Sequence, residues 1–283
     1  MTRTMRPNFI FIGPDKSGSS WLHSIFRQHP DCFVPPSKDI YFFDRYYHRG
    51  LDWYLDHFRE ATASHRAVGE LSHDYLFSPD AARRIHETLP DVRLLTVLRQ
   101  PIDRSFSQYL FMVRNGLTKA SFEQAIQEFP GLISNSLYGQ HLSVYFDLFD
   151  RRQIKVLFFE KLQVDPRGFA REVFDFLGLR MIESLPYETK VLAASRPRSE
   201  ILAHVTHVAA VQARNLGLGR MVGVLKQSPL RSLLYRPYEA SERPRVSAET
   251  WAELSLRFEP DIRRLETLLN IRLADWRLPL DRA

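Results

Sequence analysis

The chain has 283 residues, 44% hydrophobic and 25% charged, with a formal net charge of +6 and a sequence pI of about 9.5. That is enough apolar material to bury a full core as one large α/β domain, or one domain with a helical extension, and a basic balance rich in arginine suits an anionic ligand. The single cysteine, Cys32, excludes a disulfide framework or a cysteine-based metal cluster and fits a reducing compartment, and no apolar stretch approaches membrane-spanning length, so a cytoplasmic protein without a membrane span is expected.

The first predicted element is a buried strand, Phe9 to Ile12, which runs into Gly13-Pro14-Asp15-Lys16-Ser17-Gly18-Ser19-Ser20 before helical periodicity opens at Trp21. Strand, tight loop and helix in this order bring backbone N–H groups, the positive end of a helix dipole, hydroxyls and one lysine together, which makes an anion site. A Walker A loop needs its lysine after the second glycine, and here Lys16 precedes Gly18, so a nucleotide triphosphate loop does not fit. G-x-G-x-x-G is absent too, which weakens a dinucleotide reading. An ordinary β-turn-α connection is the alternative for this loop alone.

Trp21 to Gln28 reads as a helix with Leu22, Ile25 and Phe26 on one face, ended by His29-Pro30. Phe33 to Phe43 contains Pro35 and Pro36, which prevent regular structure before the charged pair Lys38-Asp39. That pair belongs either to a cleft or to a solvated loop. After an amphipathic aromatic stretch, Gly50 to Phe58, a short strand from Ala67 to Leu71 brings Glu70, Ser72, His73 and Asp74 to its C-terminal end, where open parallel sheets place ligands. Ser72 and Asp74 also suit capping of a helix over Pro79 to Leu89.

The next buried strand, Arg93 to Leu98, has Arg99 at its exit, and Pro101 opens a helix reaching about Asn115. Arg99 with Ser107 on that helix makes a second phosphate grip. Two grips on neighbouring strands imply a ligand with two separated phosphate groups. Helices over Phe122 to Phe129 and Tyr138 to Phe149, a strand over Ile154 to Phe159 and a helix over Pro166 to Leu177 complete an alternation that predicts an α/β fold, a central parallel sheet flanked by helices. A ligand-binding core of about residues 7–180 would be followed by a helical part over about 181–283, all within one domain. Ala193 to Ser199 forms a small basic segment, and the last predicted helix is Pro260 to Leu269. None of the ten histidines has metal-ligand spacing, so no metal is expected.

Taken together these motifs resemble the sulfotransferases that use 3′-phosphoadenosine 5′-phosphosulfate (PAPS). GPDKSGSSWL is similar to their 5′-phosphosulfate loop and LRQPIDRSFSQY to their 3′-phosphate motif, with the eight-residue step from Arg99 to Ser107. VLFFEKLQVDP and LETLLNIRLADW resemble their later strand and C-terminal ending. SKDIYFF followed by GLDWY is most similar to the carbohydrate, heparan-sulfate-type branch and its bacterial relatives.

The resemblance implies a P-loop-like fold and sulfuryl transfer from PAPS to a hydroxyl or amine of a carbohydrate or small-molecule acceptor, leaving adenosine 3′,5′-bisphosphate. Lys16 would stabilise the bridging oxygen, Ser17, Gly18, Ser19 and Ser20 would cradle the 5′-phosphate, and Arg99 and Ser107 would hold the 3′-phosphate, with Arg198 as a further candidate. Trp21 and Phe159 would sandwich adenine. Asp39 stands where the family usually has glutamate as general base, one methylene shorter. Leu71 replaces a family lysine, and His73 replaces a proline or alanine, which adds His73 and then Glu70 as rival bases. Tyr41, Phe42, Phe43, Trp53 and Tyr54 divide between a sugar-stacking wall and the core. The competing classes are a nucleotide-kinase-like phosphotransferase, disfavoured by the place of Lys16, and a non-catalytic polyanion binder suggested by charge. No nucleic-acid partner is expected.

Overall fold

The computed structural model describes residues 5–189, 195–197, 205–206, 208–209, 212, 235–237 and 244–278. Contacts divide the chain into two units, Met1–Arg99 with Val144–Leu192, and Gln100–Ser143 with Ala193–Ala283.

The first unit holds a five-stranded sheet. Its strands are β1 (Phe9–Gly13), β2 (Cys32–Phe33), β3 (Ala67–Leu71), β4 (Arg93–Leu98) and β5 (Ile154–Phe158), in the order β2-β3-β1-β4-β5, and every pairing is parallel. Phe9 and Phe11 point to one face of β1 and Ile10 and Ile12 to the other, yet all four are fully buried, so both faces of the sheet are covered. This is why β1 reads as a continuous apolar run. On the Phe9 face the core takes in Trp21, Leu22, Ile25 and Phe26 of helix α1 (Ser19–Gln28) and Phe169, Val173, Phe174 and Leu177 of a later helix over Pro166–Leu177.

Between these come α2 (Leu51–Asp56), α3 (Pro79–Thr88), α4 (Pro101–Arg114), α5 (Phe122–Glu128), α6 (Gly131–Ser134), α7 (Tyr138–Leu148) and α8 (Phe159–Val164), so the Pro166–Leu177 helix is α9. Two expectations are corrected here. β2 is a two-residue strand on the sheet edge that prolines made invisible, and Phe159 opens α8 instead of ending β5, because the strand pairing stops at Phe158. Cys32 is buried in β2, where the surrounding apolar groups push its thiol pKa up.

The second unit is largely helical, with a short antiparallel ribbon of β6 (Ser195–Pro197) and β7 (Tyr235–Pro237) and a long helix α10 (Ala248–Leu269). α10 begins well before Pro260, the expected start. Ser247 caps its first turn, accepting from Thr250 N–H at 3.1 Å, and Pro260 sits inside the helix, where it removes one N–H donor. Asp261 on α10 accepts from the N–H groups of Gly139 and Gln140 at 2.8 Å each, capping α7. Arg104 of α4 is wholly buried and donates to Ser136 Oγ at 2.8 Å and to the Leu132 carbonyl at 3.1 Å. Among the described residues, no helix is long and apolar enough to cross a membrane.

Candidate active site

The C-terminal ends of all five strands converge on one edge of the sheet, the position at which open parallel sheets bind ligands. β1 leads into the 13–18 loop, β2 towards Lys38 and Asp39, β3 into Ser72 and His73, β4 into Arg99, and β5 into Phe159.

The loop after β1 is shaped by backbone that few residues adopt. Gly13 has φ 128°, and a Cβ there would meet the His73 carbonyl oxygen at 2.2 Å. Lys16 at φ 63° and Gly18 at φ 92° are both left-handed, and Gly18 is the cap residue of α1. No side chain caps α1 and no acidic residue lies in its first turn, so its N-terminal N–H groups and dipole favour an anion. A Cβ on Gly18 would meet Leu162 at 2.7 Å and the Phe159 ring at 3.3 Å, which places Phe159 against the loop. The Arg99 guanidinium lies 4.9 Å over that ring and donates through Nη1 to the Lys16 carbonyl at 3.1 Å. Ser17 is fully buried and donates to the Asp15 carbonyl at 3.4 Å, while Ser20 is half-buried on the first turn of α1.

Opposite the loop, residues 34–41 are tied to α1 and β3. His23 of α1 lies 2.9 Å from the Pro35 carbonyl oxygen, Arg27 donates to the Val34 carbonyl at 3.3 Å, and Lys38 Nζ donates to Ser19 Oγ at 3.0 Å. Burial holds the His23 pKa below its ordinary value and outweighs the contact with Pro35. Asp39 N–H donates to the Leu71 carbonyl at 2.7 Å, and Tyr41 N–H donates to Ser72 Oγ at 3.1 Å. Both Asp39 (φ 68°) and Tyr41 (φ 55°) are left-handed, a conformation that persists because these bonds over-determine it.

Asp39 Oδ1 lies 2.7 Å from His73 Nδ1, and the Tyr41 hydroxyl lies 3.0 Å from His73 Nε2. Burial works against a charge on His73, but the carboxylates of Asp39, Asp74 and Asp15 more than offset it and raise its pKa. The sequence therefore brings Lys16, Ser19, Arg99, Phe159, Asp39 and His73 to one end of the sheet.

Two candidates are placed differently. Glu70 is 1% exposed, on the opposite sheet face from α1, and accepts from Ser72 Oγ at 2.6 Å and the Tyr75 hydroxyl at 3.0 Å. Burial pushes its pKa up to about 7, yet both oxygens are engaged inside the protein, which removes it as a base acting on substrate. Trp21 is 6% exposed, donates Nε1–H to the Tyr187 carbonyl at 2.9 Å and packs edge-on against Phe169 at 5.8 Å. It is a core residue here and presents no adenine platform. Ser107 lies half-buried on α4 in the second unit, and Arg198 lies outside the described residues. Tyr41, Phe42, Phe43 and Tyr54 are buried, with Phe42 and Tyr54 stacked at 4.6 Å, so most of the expected sugar wall is core and Trp53 alone of the five is half-exposed.

Sequence reasoning passed over Lys38 as a site residue, although its place after a rigid Pro-Pro turn was the available signal. In the sequence Tyr41 reads only as one of five aromatics dividing between a sugar wall and the core, and Ser72 only as part of the polar cluster after β3 or a helix cap, not as the pair that fixes the 39–41 segment.

This arrangement sets an uncapped helix N-terminus and a lysine-bearing loop beside a carboxylate–imidazole pair, a geometry suited to holding an anion next to a proton acceptor. Residues 6–196 match the family described as sulfotransferase domain, and the chain belongs to the sulfotransferase family. The membrane-associated sulfotransferase kil1 of Dictyostelium discoideum is 33% identical over 52% of this chain and 32% of its own length. Mouse heparan sulfate glucosamine 3-O-sulfotransferase 3B1 is 34% identical over 62% of this chain and 47% of its own. Human heparan sulfate glucosamine 3-O-sulfotransferase 6 is 30% identical over 68% of this chain and 61% of its own. The chain thus spans between a third and three-fifths of these curated relatives. A crystal structure of a sulfotransferase from Alicyclobacillus acidocaldarius superposes with a TM-score of 0.72 at 26% identity, covering 97% of this chain and all of that one.

Proposed function

We propose that the protein transfers a sulfuryl group from PAPS to a hydroxyl or amine of a carbohydrate-type acceptor. The observation that carries this reading is the hydrogen bond from Lys38 Nζ to Ser19 Oγ at 3.0 Å, which joins the anion loop to the segment bearing Asp39. Donor phosphate and proton acceptor are then parts of one site. The cradle fits a phosphosulfate, since glycine at position 18 supplies the left-handed φ of 92° with which the loop enters α1, and α1 offers its N–H groups without a competing side chain.

PAPS, when bound, supplies the sulfuryl group. Lys16 neutralises charge that grows on the phosphate oxygen as its bond to sulfur breaks. The acceptor oxygen or nitrogen forms the new bond to sulfur, Asp39 takes its proton, and adenosine 3′,5′-bisphosphate leaves. Arg99, anchored on the Lys16 carbonyl, supplies the cation for the second phosphate. The curated relatives that act on heparan sulfate support a carbohydrate acceptor.

Thermal-shift measurements with adenosine 3′,5′-bisphosphate, ATP and an oligonucleotide test the donor class. A selective rise with the bisphosphate is expected. Equal shifts with all three would indicate a polyanion binder, and a preference for ATP a phosphotransferase. A mass-spectrometric screen for products that gain sulfate from PAPS then identifies the acceptor.

A further inference from the structure

In the reaction as proposed, His73 has no task of its own, yet it is among the most tightly held side chains of the site. Nδ1 lies 2.7 Å from Asp39 Oδ1, and Nε2 lies 3.0 Å from the Tyr41 hydroxyl and 3.4 Å from Asp74 Oδ1. The Tyr41 ring also meets the imidazole edge-on at 5.4 Å. Both ring nitrogens therefore have protein partners, which suits holding better than direct proton abstraction. Asp39 needs holding, because its backbone is left-handed and its carboxylate is one methylene shorter than glutamate.

We propose that His73 is a positioning residue for the base: it fixes the Asp39 carboxylate through Nδ1, while Tyr41 and Asp74 fix the ring through Nε2. This rests on the transfer reaction proposed above. The groups facing His73 are Asp39 and Tyr41 from the 39–41 segment, Asp74 from its own turn and Asp15 from the loop after β1, and Arg45 in turn pairs with Asp74. Their net negative charge favours the imidazolium form. A cation at hydrogen-bond distance keeps Asp39 ionised and fixed in one orientation, ready to receive a proton.

The test uses release of adenosine 3′,5′-bisphosphate from PAPS, with heparan sulfate oligosaccharides as the probe acceptor. His73→Ala should lower kcat about 10- to 100-fold while the KM for PAPS stays within about threefold, as expected for misplacing a catalytic group. His73→Asn restores a donor near Nδ1 without the charge. It should recover part of kcat and move the acid limb of the kcat profile up by about one pH unit, because a neutral neighbour makes the carboxylate harder to ionise. A purely structural histidine would leave that limb in place. In Asp39→Asn, NMR titration should show the His73 pKa falling. Full kcat in His73→Ala, an acid limb in His73→Asn coincident with wild type, or an unmoved His73 titration in Asp39→Asn would each overturn the positioning role. Absence of both PAPS turnover and bisphosphate binding in the wild type would instead overturn the transfer reading on which it depends.

Discussion

Lys38 Nζ and Ser19 Oγ, 3.0 Å apart, connect two segments that come from different strands of the sheet. Ser19 stands at the first turn of α1, and Lys38 immediately precedes Asp39. A cation placed there does two things: it adds positive charge beside the anion loop, and it fixes where the next residue points.

Replacing Lys38 with methionine keeps the apolar stem and removes both effects. The expected result is a fall in transfer rate of about 10- to 100-fold, since a charge-assisted hydrogen bond and its positioning are lost together. Lys38→Arg should retain more activity than Lys38→Met. Steady-state PAPS consumption measures the rate, and melting curves should differ little because the pair is only part-buried.

Lys16→Ala addresses the leaving group. Removing the charge that stabilises the developing phosphate should cost about 100- to 1,000-fold in kcat, with a smaller loss of bisphosphate affinity. If turnover of PAPS survived this change nearly intact, Lys16 would not be the group that acts on the bridging oxygen.

Gly18→Ala tests the loop's shape. At φ 92° an alanine is strained, and its methyl would lie 2.7 Å from Leu162 and 3.3 Å from the Phe159 ring. We expect a loss of about 1–2 kcal/mol in stability and a matching weakening of adenosine 3′,5′-bisphosphate binding. Denaturant unfolding and calorimetric titration read the two separately.

Glu70 makes stability depend on pH. Burial raises its folded-state pKa from 4.5 to about 7, so between those values the unfolded chain has lost the proton that the folded chain keeps. Its favourable contribution is complete below pH 4.5 and disappears as pH rises through about 7, a change on the order of 3 kcal/mol. Glu70→Gln should remove this part of the slope. Urea unfolding of both proteins at pH 5 and pH 8 gives the difference directly, and parallel slopes would contradict the assignment.

The strands and most helices were legible because parallel strands buried on both faces appear as unbroken apolar runs, such as Phe9 to Ile12, and because Gly, Pro and capping residues mark the ends. The strand–loop–helix arrangement around residues 13–18 was legible for the same reason: glycine, lysine and hydroxyls follow the strand at fixed spacing. What escaped was set by long-range partners. β2 is defined by its pairing with β3, and α10 runs on through Pro260 and carries Asp261 onto the start of α7. Glu70 looked available because polar Ser72 and His73 follow it at the strand end, but its side chain is buried, with its two oxygens held by Ser72 Oγ and the Tyr75 hydroxyl. Trp21 looked like a ring for adenine for a similar reason, since its place in the motif says nothing of the Tyr187 carbonyl that holds its indole.

Gly13 bears on how this site can change over evolutionary time. A single methyl at that position would collide with the His73 carbonyl, so the donor loop and the turn carrying the imidazole are locked into one shape that no side chain at residue 13 can tune. New acceptor preferences must then be explored elsewhere. The segment from Tyr46 to Trp53, whose side chains are half-buried or exposed, is free to vary while the contact between donor loop and base stays the same across descendants of the chain.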